Sequence, residues 1–302
     1  MSNKKIYMAM VLATFFWSGA FVAGKFSTPY IPTFTLTFLR FFFATGIMAI
    51  LVRRNNQKLD APPWKPTKQH FPFFCVTGIV GMFGYHVLFF QSLHYTGATN
   101  ASMINGMNPI VTTLLAAIFL KETINRKQVL GIVISFVGAI LTISGASWSV
   151  IASLSFNKGD FIMFAAMICW AIYGVFSKGK GKGIPPLQLT YYSFLFCTIF
   201  ILPFVLWERP WTFLAEIPMI AWISVLYMSI CPSVIGYLIQ QISIKRIGPA
   251  RTSIFINLVP AFSMALAVTC LGEPFMLVKV FTAALIILGV IVCQLSGGMK
   301  EK

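Results

Sequence analysis

Apolar residues follow one another along this chain in long, nearly uninterrupted stretches, which short polar segments separate. About 20 such residues, at a rise of about 1.5 Å each, cross a hydrocarbon core of roughly 30 Å. Segments such as FPFFCVTGIVGMFGYHVLFF lack the alternation of polar and apolar positions that a membrane β-strand needs. The pattern therefore predicts an all-α integral membrane protein with ten transmembrane helices, at residues 6–26, 33–52, 71–93, 98–120, 128–145, 160–178, 187–207, 218–241, 249–271 and 276–295.

The composition supports a lipid environment, because 58% of the 302 residues are hydrophobic and only 10% are charged, against roughly a quarter charged in soluble domains. The net charge of +16 raises the question of a nucleic-acid partner. Of the 23 Lys and Arg residues, however, 18 fall in alternate connections, and the other side holds only Lys25, Lys158, Arg209 and Lys279. By the positive-inside rule this asymmetry predicts a multi-pass protein of the bacterial inner membrane with both termini cytoplasmic. It excludes nucleic acid as the partner.

The chain contains an internal repeat. At an offset of 153 positions, Trp17 falls on Trp170, and LTFLRFFFAT (36–45) falls on LTYYSFLFCT (189–198). After a slip of two positions, GATNASMINGMNPIVTTLLAAIFLKE (97–122) falls on GPARTSIFINLVPAFSMALAVTCLGE (248–273). Because each unit has five helices, the second copy is expected to be inverted, an arrangement that recurs in secondary transporters. We predict two inverted five-helix repeats, at 1–145 and 160–295, with an inter-repeat loop at 146–159 and a cytoplasmic tail at 296–302.

Several segments resemble one family of transporters. These are FWSGAFVAGK in the first helix, LRFFFA in the second, and NPIVTTLLAAIFLKE and LVPAFSMALAVTCLGE in the fourth and ninth. They resemble the drug/metabolite transporter superfamily and, within it, the EamA-type permeases. The resemblance covers essentially the whole chain. It implies ten helices, a central cavity between the repeats, and export or uptake of amino acids and other small metabolites.

Polar residues at helical spacing mark the faces that turn inward, because a polar side chain is costly against lipid. The fourth helix carries such a stripe, and the ninth carries its counterpart: Ser102, Asn105, Pro109 and Thr112, and Ser253, Asn257, Pro260 and Ser263. Each Pro removes a backbone hydrogen bond in mid-membrane, so we expect hinges at Pro109, Pro260 and, in the eighth helix, Pro232. The two Asn residues are candidate substrate ligands. The alternative is that they only join neighbouring helices.

Two further helices are expected to face the same cavity. Their polar positions are Tyr85, His86 and Gln91 in the third helix, and Ser229, Ser233, Tyr237 and Gln240 in the eighth. Two Trp residues, Trp17 and Trp170, lie near the middle of their helices rather than in the interfacial belts where Trp is usual. With Tyr173, one turn beyond Trp170, they are expected to form walls of the cavity. The alternative is ordinary core packing.

Arg40 is the one charge predicted well inside a helix, about seven residues and so roughly 10 Å from the nearer end, and no acid lies at similar depth. It needs backbone carbonyls, a path to the membrane surface, or an anionic ligand. Lys25, at a helix end, is expected to snorkel to the surface. Glu122 and Glu273 each precede a helix and are expected to cap it. His86 is therefore the only candidate in the membrane core for proton coupling near neutral pH.

These observations predict a secondary transporter that moves a small metabolite, an amino acid or a similar amphipathic solute, by alternating access, with export favoured. Facilitated diffusion or exchange is expected ahead of proton coupling through His86. A carrier of phosphorylated or nucleotide-like solutes is the alternative, although a cluster of basic residues would be expected for it. An intramembrane enzyme would need a nucleophile and base, or metal ligands, placed together. We expect no enzyme activity, cofactor or metal; the expected partners are the solute and the bilayer, and a homodimer is left open.

Overall fold

The computed structural model describes residues 3–57, 65–120, 124–147, 157–181, 183–247 and 255–296. Most of the predicted inter-repeat loop (146–159) and nearly all of the predicted tail (296–302) lie outside these residues. Within the described ranges all regular structure is helical. We number ten helical segments: α1 Asn3–Ser27, α2 Thr33–Gln57, α3 Lys68–Leu93, α4 Ala98–Gly106 with Asn108–Leu120, α5 Arg126–Ile143, α6 Lys158–Lys180, α7 Pro186–Glu208, α8 Met219–Met228 continued to Ile247, α9 Phe255–Leu271 and α10 Leu277–Ser296.

Each described helical segment overlaps one of the ten predicted ranges. Seven of the described helices, α1 to α4 and α6 to α8, are long and apolar enough to cross a membrane, and α9 and α10 are shorter apolar helices. In a helix the backbone N–H and C=O groups hydrogen-bond to each other within the segment, as a lipid environment requires. The prediction of a multi-pass helical protein thus agrees with the structure. The count of ten crossing helices stays a prediction.

Equivalent positions of the two halves contact each other. The hydroxyl groups of Thr45 in α2 and Thr198 in α7 lie 3.1 Å apart, and these residues are 153 positions apart. The neighbouring rings of Phe41 and Phe194 have the same offset and centroids 4.9 Å apart. Contacts between equivalent positions are typical of a two-fold axis. They favour the predicted repeat, while its inverted topology and exact bounds stay predictions.

The third and eighth helices each contain a π-helical segment at the same place in the repeat. Val76–Gly84 in α3 and Ser229–Gly236 in α8 begin 153 positions apart. Extended π-helical turns are rare and often occur at functional sites. Pro232, one of the predicted hinges, lies inside the second segment. The hinge role itself stays a prediction.

The fourth and ninth helices are interrupted, and the interruptions meet. α4 breaks at Met107, and the described part of α9 consists of a 3-10 turn, Phe255–Leu258, followed by a regular helix from Val259. Pro109 and Pro260 each occupy the second position of the regular helix that follows the break. A Cβ added to Gly106 would lie 2.8 Å from the Pro260 ring, so only glycine allows this close approach without movement of a neighbour.

Two glutamates cap helices across the molecule. Glu208, at the end of α7, accepts hydrogen bonds from the backbone N–H groups of Phe34 (3.0 Å) and Thr35 (2.6 Å) at the start of α2. Glu273 accepts in the same way from Ala98 (2.7 Å) and Thr99 (3.4 Å) at the start of α4. Carboxylates stabilise the unpaired N–H groups of a first helical turn.

The prediction that Glu273 caps the helix next in sequence is therefore wrong. Gly272 adopts a left-handed conformation (φ 66°) at the end of α9. The turn brings the Glu273 carboxylate across to α4, whereas α10 begins only at Leu277. The equivalent Glu122 lies outside the described residues.

Candidate substrate-binding cavity

A cavity of about 50 Å³ lies between the two halves of the bundle. Its lining comes from seven helices and consists of Trp17, Ala20, Phe21, Arg40, Tyr85, His86, Phe89, Asn105, Trp170, Tyr237, Gln240, Ile256 and Val259. Ligand pockets are usually about 300–1,000 Å³. A solute can occupy the cavity only if its lining moves apart.

Arg40 is the cationic side chain of this lining. The Arg40 side chain is 3% exposed and does not reach the protein surface. The alternative that it finds a path to the membrane surface is therefore wrong. Its Nε donates to the Ser233 hydroxyl (2.9 Å), and its guanidinium lies 5.7 and 5.9 Å from the ring centroids of Phe41 and Phe90. Among the described residues, no carboxylate pairs with Arg40, and its terminal nitrogens make no hydrogen bond. These terminal N–H groups remain available to a ligand.

Ser233 belongs to the π-helical segment of α8. It is buried, and its hydroxyl donates to the carbonyl of Met228 (2.9 Å), five residues earlier. Because the hydroxyl proton is donated to the Met228 carbonyl, the Ser233 oxygen acts as the acceptor for Arg40 Nε. Sequence reasoning placed Ser233 on the polar face of its helix, but the contact with Arg40 depends on the packing of α2 against α8.

Aromatic side chains form most of the cavity surface. The Trp170 ring centroid lies 5.0 Å from that of Tyr85, 5.5 Å from that of Tyr237 and 5.1 Å from that of Tyr173. The Trp17 centroid lies 6.4 Å from that of Tyr237 on the other side. The two equivalent Trp residues thus both line the cavity and flank Tyr237, as expected for walls.

The Trp17 ring is held by the π-helical segment. Its Nε1 donates to the carbonyl of Pro232 (3.1 Å). A Cβ on Gly236 would lie 2.7 Å from the same nitrogen. The Trp17 ring therefore packs against the α8 backbone at a position without a side chain. A larger residue in place of Gly236 would displace the ring.

Amide groups supply further polar atoms. Asn105 lines the cavity, and its Oδ1 lies at the limit of hydrogen bonding from the Tyr85 hydroxyl (3.5 Å). Gln240 also lines it, and the buried Oε1 of Gln240 has no hydrogen-bond partner among the described residues. The His86 ring lies 2.8 Å, through Nδ1, from the Met82 carbonyl, a geometry in which Nδ1 donates.

The structure brings together eight of the ten residues predicted for the site: Trp17, Arg40, Tyr85, His86, Asn105, Trp170, Tyr237 and Gln240. The other two do not line the cavity. Tyr173 stacks behind Trp170, and Asn257 is 5% exposed, with no hydrogen-bond partner in the described part of the chain. From α9, Ile256 and Val259 line the cavity instead of Asn257. Whether any of these residues binds a substrate stays a prediction.

A second, wider groove of about 490 Å³ lies between the start of α3 and α7. Its lining is mostly apolar and aromatic, as in Phe71, Phe74 and Phe196, and includes Lys68. It contains none of the residues of the cavity around Arg40. A larger volume does not make it the better site, because it lacks convergent polar groups.

A model of the EamA-like transporter family matches residues 4–144 and, a second time, residues 157–294. The chain belongs to the EamA-like transporter family. The two matches cover most of each half of the chain. Membership makes this chain a multi-pass membrane transporter of the drug/metabolite type, and it points away from an enzyme.

Similar proteins agree with this membership. This EamA-like transporter is 33% identical over 297 residues to "Uncharacterized transporter YyaM" of Bacillus subtilis, with 96% of this chain and 94% of the relative covered. It is 25% identical over 274 residues to "Probable terminal-alkyne amino-acid exporter" of Streptantibioticus cattleyicolor, covering 90% and 88%. It is 24% identical over 249 residues to "Aromatic amino acid exporter YddG" of Ancylobacter novellus, covering 82% of each. A solved structure titled "Crystal structure of protein" shares the fold, with a TM-score of 0.64 at 21% identity over 98% of this chain and 99% of the other.

Proposed function

We propose that this EamA-like transporter moves a small metabolite, an amino acid or a similar amphipathic solute, across the bacterial inner membrane by alternating access, with export as the favoured direction. One observation carries the proposal: the buried Arg40, which makes one hydrogen bond among the described residues, through Nε to Ser233, lines a cavity with aromatic walls. The exporters of amino acids among the relatives support the same class of solute.

The buried charge of Arg40 favours an anionic group on the solute. A guanidinium in a membrane interior is costly unless ion pairs, hydrogen bonds or water compensate it. In the described part of the chain, Arg40 has one hydrogen bond, to Ser233, and the rings of Phe41 and Phe90 lie near its guanidinium. The carboxylate of a solute would complete its partners, and a bidentate pair of this kind is among the stronger polar interactions.

The aromatic walls favour a solute with an apolar body. Trp17, Tyr85, Trp170 and Tyr237 offer apolar surface with polar edges, which suits a solute with an apolar body and a polar head. Asn105 and Gln240 would hydrogen-bond the remaining polar groups. Tyr173 would support the Trp170 ring from behind.

The helix interruptions support alternating access. Solute sites of secondary transporters commonly lie at discontinuous helices between repeats. Here the break in α4 meets the break in α9, and the π-helical segments of α3 and α8 lie beside the cavity. We propose that Pro109, Pro260 and Pro232 act as hinges when the cavity widens.

Coupling and orientation belong to the proposal as well. The described residues of the cavity lining include no carboxylate, which favours facilitated diffusion or exchange over a conventional proton relay. His86 is the alternative proton site. The distribution of Lys and Arg in the sequence favours cytoplasmic termini.

A comparison of metabolites tests the function. Cells that lack the protein and cells that overproduce it are grown alike, and small metabolites are measured inside the cells and in the medium. For an exporter, at least one amino acid or similar solute should accumulate inside the deficient cells and outside the overproducing cells. If no metabolite changes its distribution between the two strains, the proposed transport function is wrong.

A further inference from the structure

We infer that the cavity recognises a carboxylate attached to a flat apolar body, that it does not require an ammonium group on the solute, and that Ser233 is the residue that positions Arg40 for this contact. The inference rests on the proposed function and specifies its substrate class. It extends the class from amino acids to carboxylic acids without an amine.

The first step is the orientation of the guanidinium. A guanidinium can bind a carboxylate side-on, through Nε and one terminal nitrogen, or end-on, through both terminal nitrogens. Nε of Arg40 is already bonded to the Ser233 hydroxyl at 2.9 Å. The rings of Phe41 and Phe90 lie near the guanidinium carbon. The edge with the two terminal nitrogens remains, and it matches the two oxygens of a carboxylate.

A hydrogen bond within its own helix fixes the orientation of the Ser233 hydroxyl. Its proton is donated to the Met228 carbonyl (2.9 Å), five residues earlier in the π-helical segment. The oxygen can therefore only accept from Arg40. Ser229, one turn earlier, is also buried, but its hydroxyl donates to the Val225 carbonyl (2.7 Å), and Ser229 is not among the described residues that line the cavity. Ser229 is thus a matched control in the same segment.

The third step concerns the ammonium group. Within the described ranges, no Asp or Glu lines the cavity. The acidic residues of the described ranges are Asp160, Glu208, Glu216 and Glu273, and all lie elsewhere. An ammonium would find only the neutral oxygens of Asn105 and Gln240, and the Arg40 charge would repel it. Carboxylate binding therefore provides the charged contact, and an amine adds little.

Three probes with one phenylethyl body separate these possibilities: 3-phenylpropionate carries only a carboxylate, L-phenylalanine carries a carboxylate and an ammonium, and phenethylamine carries only an ammonium. Binding is measured as the concentration-dependent rise in melting temperature of the purified protein in detergent. We expect the two acids to stabilise the wild type at similar concentrations and phenethylamine to have no effect.

Variants test the positioning role. Ser233→Ala should raise the half-maximal concentration of both acids about tenfold, the effect of one lost hydrogen bond to a charged group. Ser233→Thr, which keeps the hydroxyl, should restore binding. Ser229→Ala should match the wild type, and Arg40→Gln should abolish the effect of the acids.

Each other outcome has a definite meaning. If L-phenylalanine stabilises the wild type and 3-phenylpropionate does not, the ammonium is required and the inference is wrong, while the proposed transport of amino acids stands. Stabilisation by phenethylamine alone, or by none of the three, also overturns it, and the metabolite comparison then judges the transport function separately. If Ser233→Ala binds the acids as Ser229→Ala does, Ser233 has no positioning role. The wild-type series decides the substrate class even if Ser233→Ala fails to fold.

Discussion

The carboxylate of Glu273 joins the end of α9 to the start of α4, and its removal is a direct test of the packing described above. The side chain accepts from the backbone N–H groups of Ala98 and Thr99 and from the Thr99 hydroxyl (2.6 Å). Glu273→Ala removes all three contacts and leaves the first turn of α4 without its cap. The chain is then expected to be less stable, with α4 and α9 less firmly joined.

The magnitude follows from the contacts. Loss of a helix cap costs about 0.5–2 kcal/mol, and a hydrogen bond to a charged group contributes about 1.5–3 kcal/mol when buried. Because Glu273 is half-buried, solvent replaces part of what is lost. We therefore expect a decrease in stability of about 1–2 kcal/mol. For a chain above 150 residues this corresponds to a fall in melting temperature of roughly 2–5 °C.

The assay is thermal unfolding of the purified variants in one detergent, followed by circular dichroism. Glu216→Ala is the control, because Glu216 is an exposed glutamate in the α7–α8 connection and no hydrogen bond of its carboxylate is seen among the described residues. Glu273→Gln, which keeps the shape but loses the charge, should fall between the two. If Glu273→Ala melts within 1 °C of Glu216→Ala, the cap does not stabilise α4 and the reasoning is refuted.

Three further substitutions test the packing of the helices. Gly289→Ala should destabilise by about 1–3 kcal/mol, because its Cβ would clash with the backbone of Ser135 in α5. Gly46→Ala, with open space around it, should be neutral or stabilising; equal melting temperatures for the two variants would contradict this packing. Trp17→Phe should lose about 1 kcal/mol with its hydrogen bond to the Pro232 carbonyl, seen as a lower melting temperature and weaker solute binding. A variant that matches the wild type in both would show that this bond has no role.

Hydropathy and the repeat were sufficient to predict the helix positions and much of the cavity. Each apolar stretch is long enough to be a helix on its own, so no knowledge of packing was needed to place it. The repeat paired Trp17 with Trp170, and both residues line the same cavity. Arg40 was identified as a site candidate because a lone charge in a long apolar stretch requires a partner or a ligand.

Contacts between distant segments could not be predicted in this way. The local rule for helix starts assigned Glu273 to α10, but the left-handed turn at Gly272 directs it to α4. The stripe on α9 assumed a regular α-helix, whereas Phe255–Leu258 form a 3-10 turn, which advances about 120° per residue instead of 100°. Asn257 is consequently not part of the lining, and Ile256 is.

The π-helical segments also escaped the sequence analysis. Glycines and Pro232 are visible in these stretches, but many α-helices contain such residues. The hydrogen bond from Arg40 to Ser233 depends on the π-helical register of α8 and on the packing of α2 against it. Neither can be read from one segment alone.

Efflux from proteoliposomes tests most directly the central claim that solute passes through the cavity around Arg40. Vesicles with wild-type protein, with an equal amount of Arg40→Gln, or without protein are loaded with the twenty amino acids, and the release of each is followed by mass spectrometry. We predict that at least one amino acid with an apolar side chain leaves wild-type vesicles faster than both other preparations. Equal release from wild-type and Arg40→Gln vesicles, or no release above that of protein-free vesicles, would contradict the account.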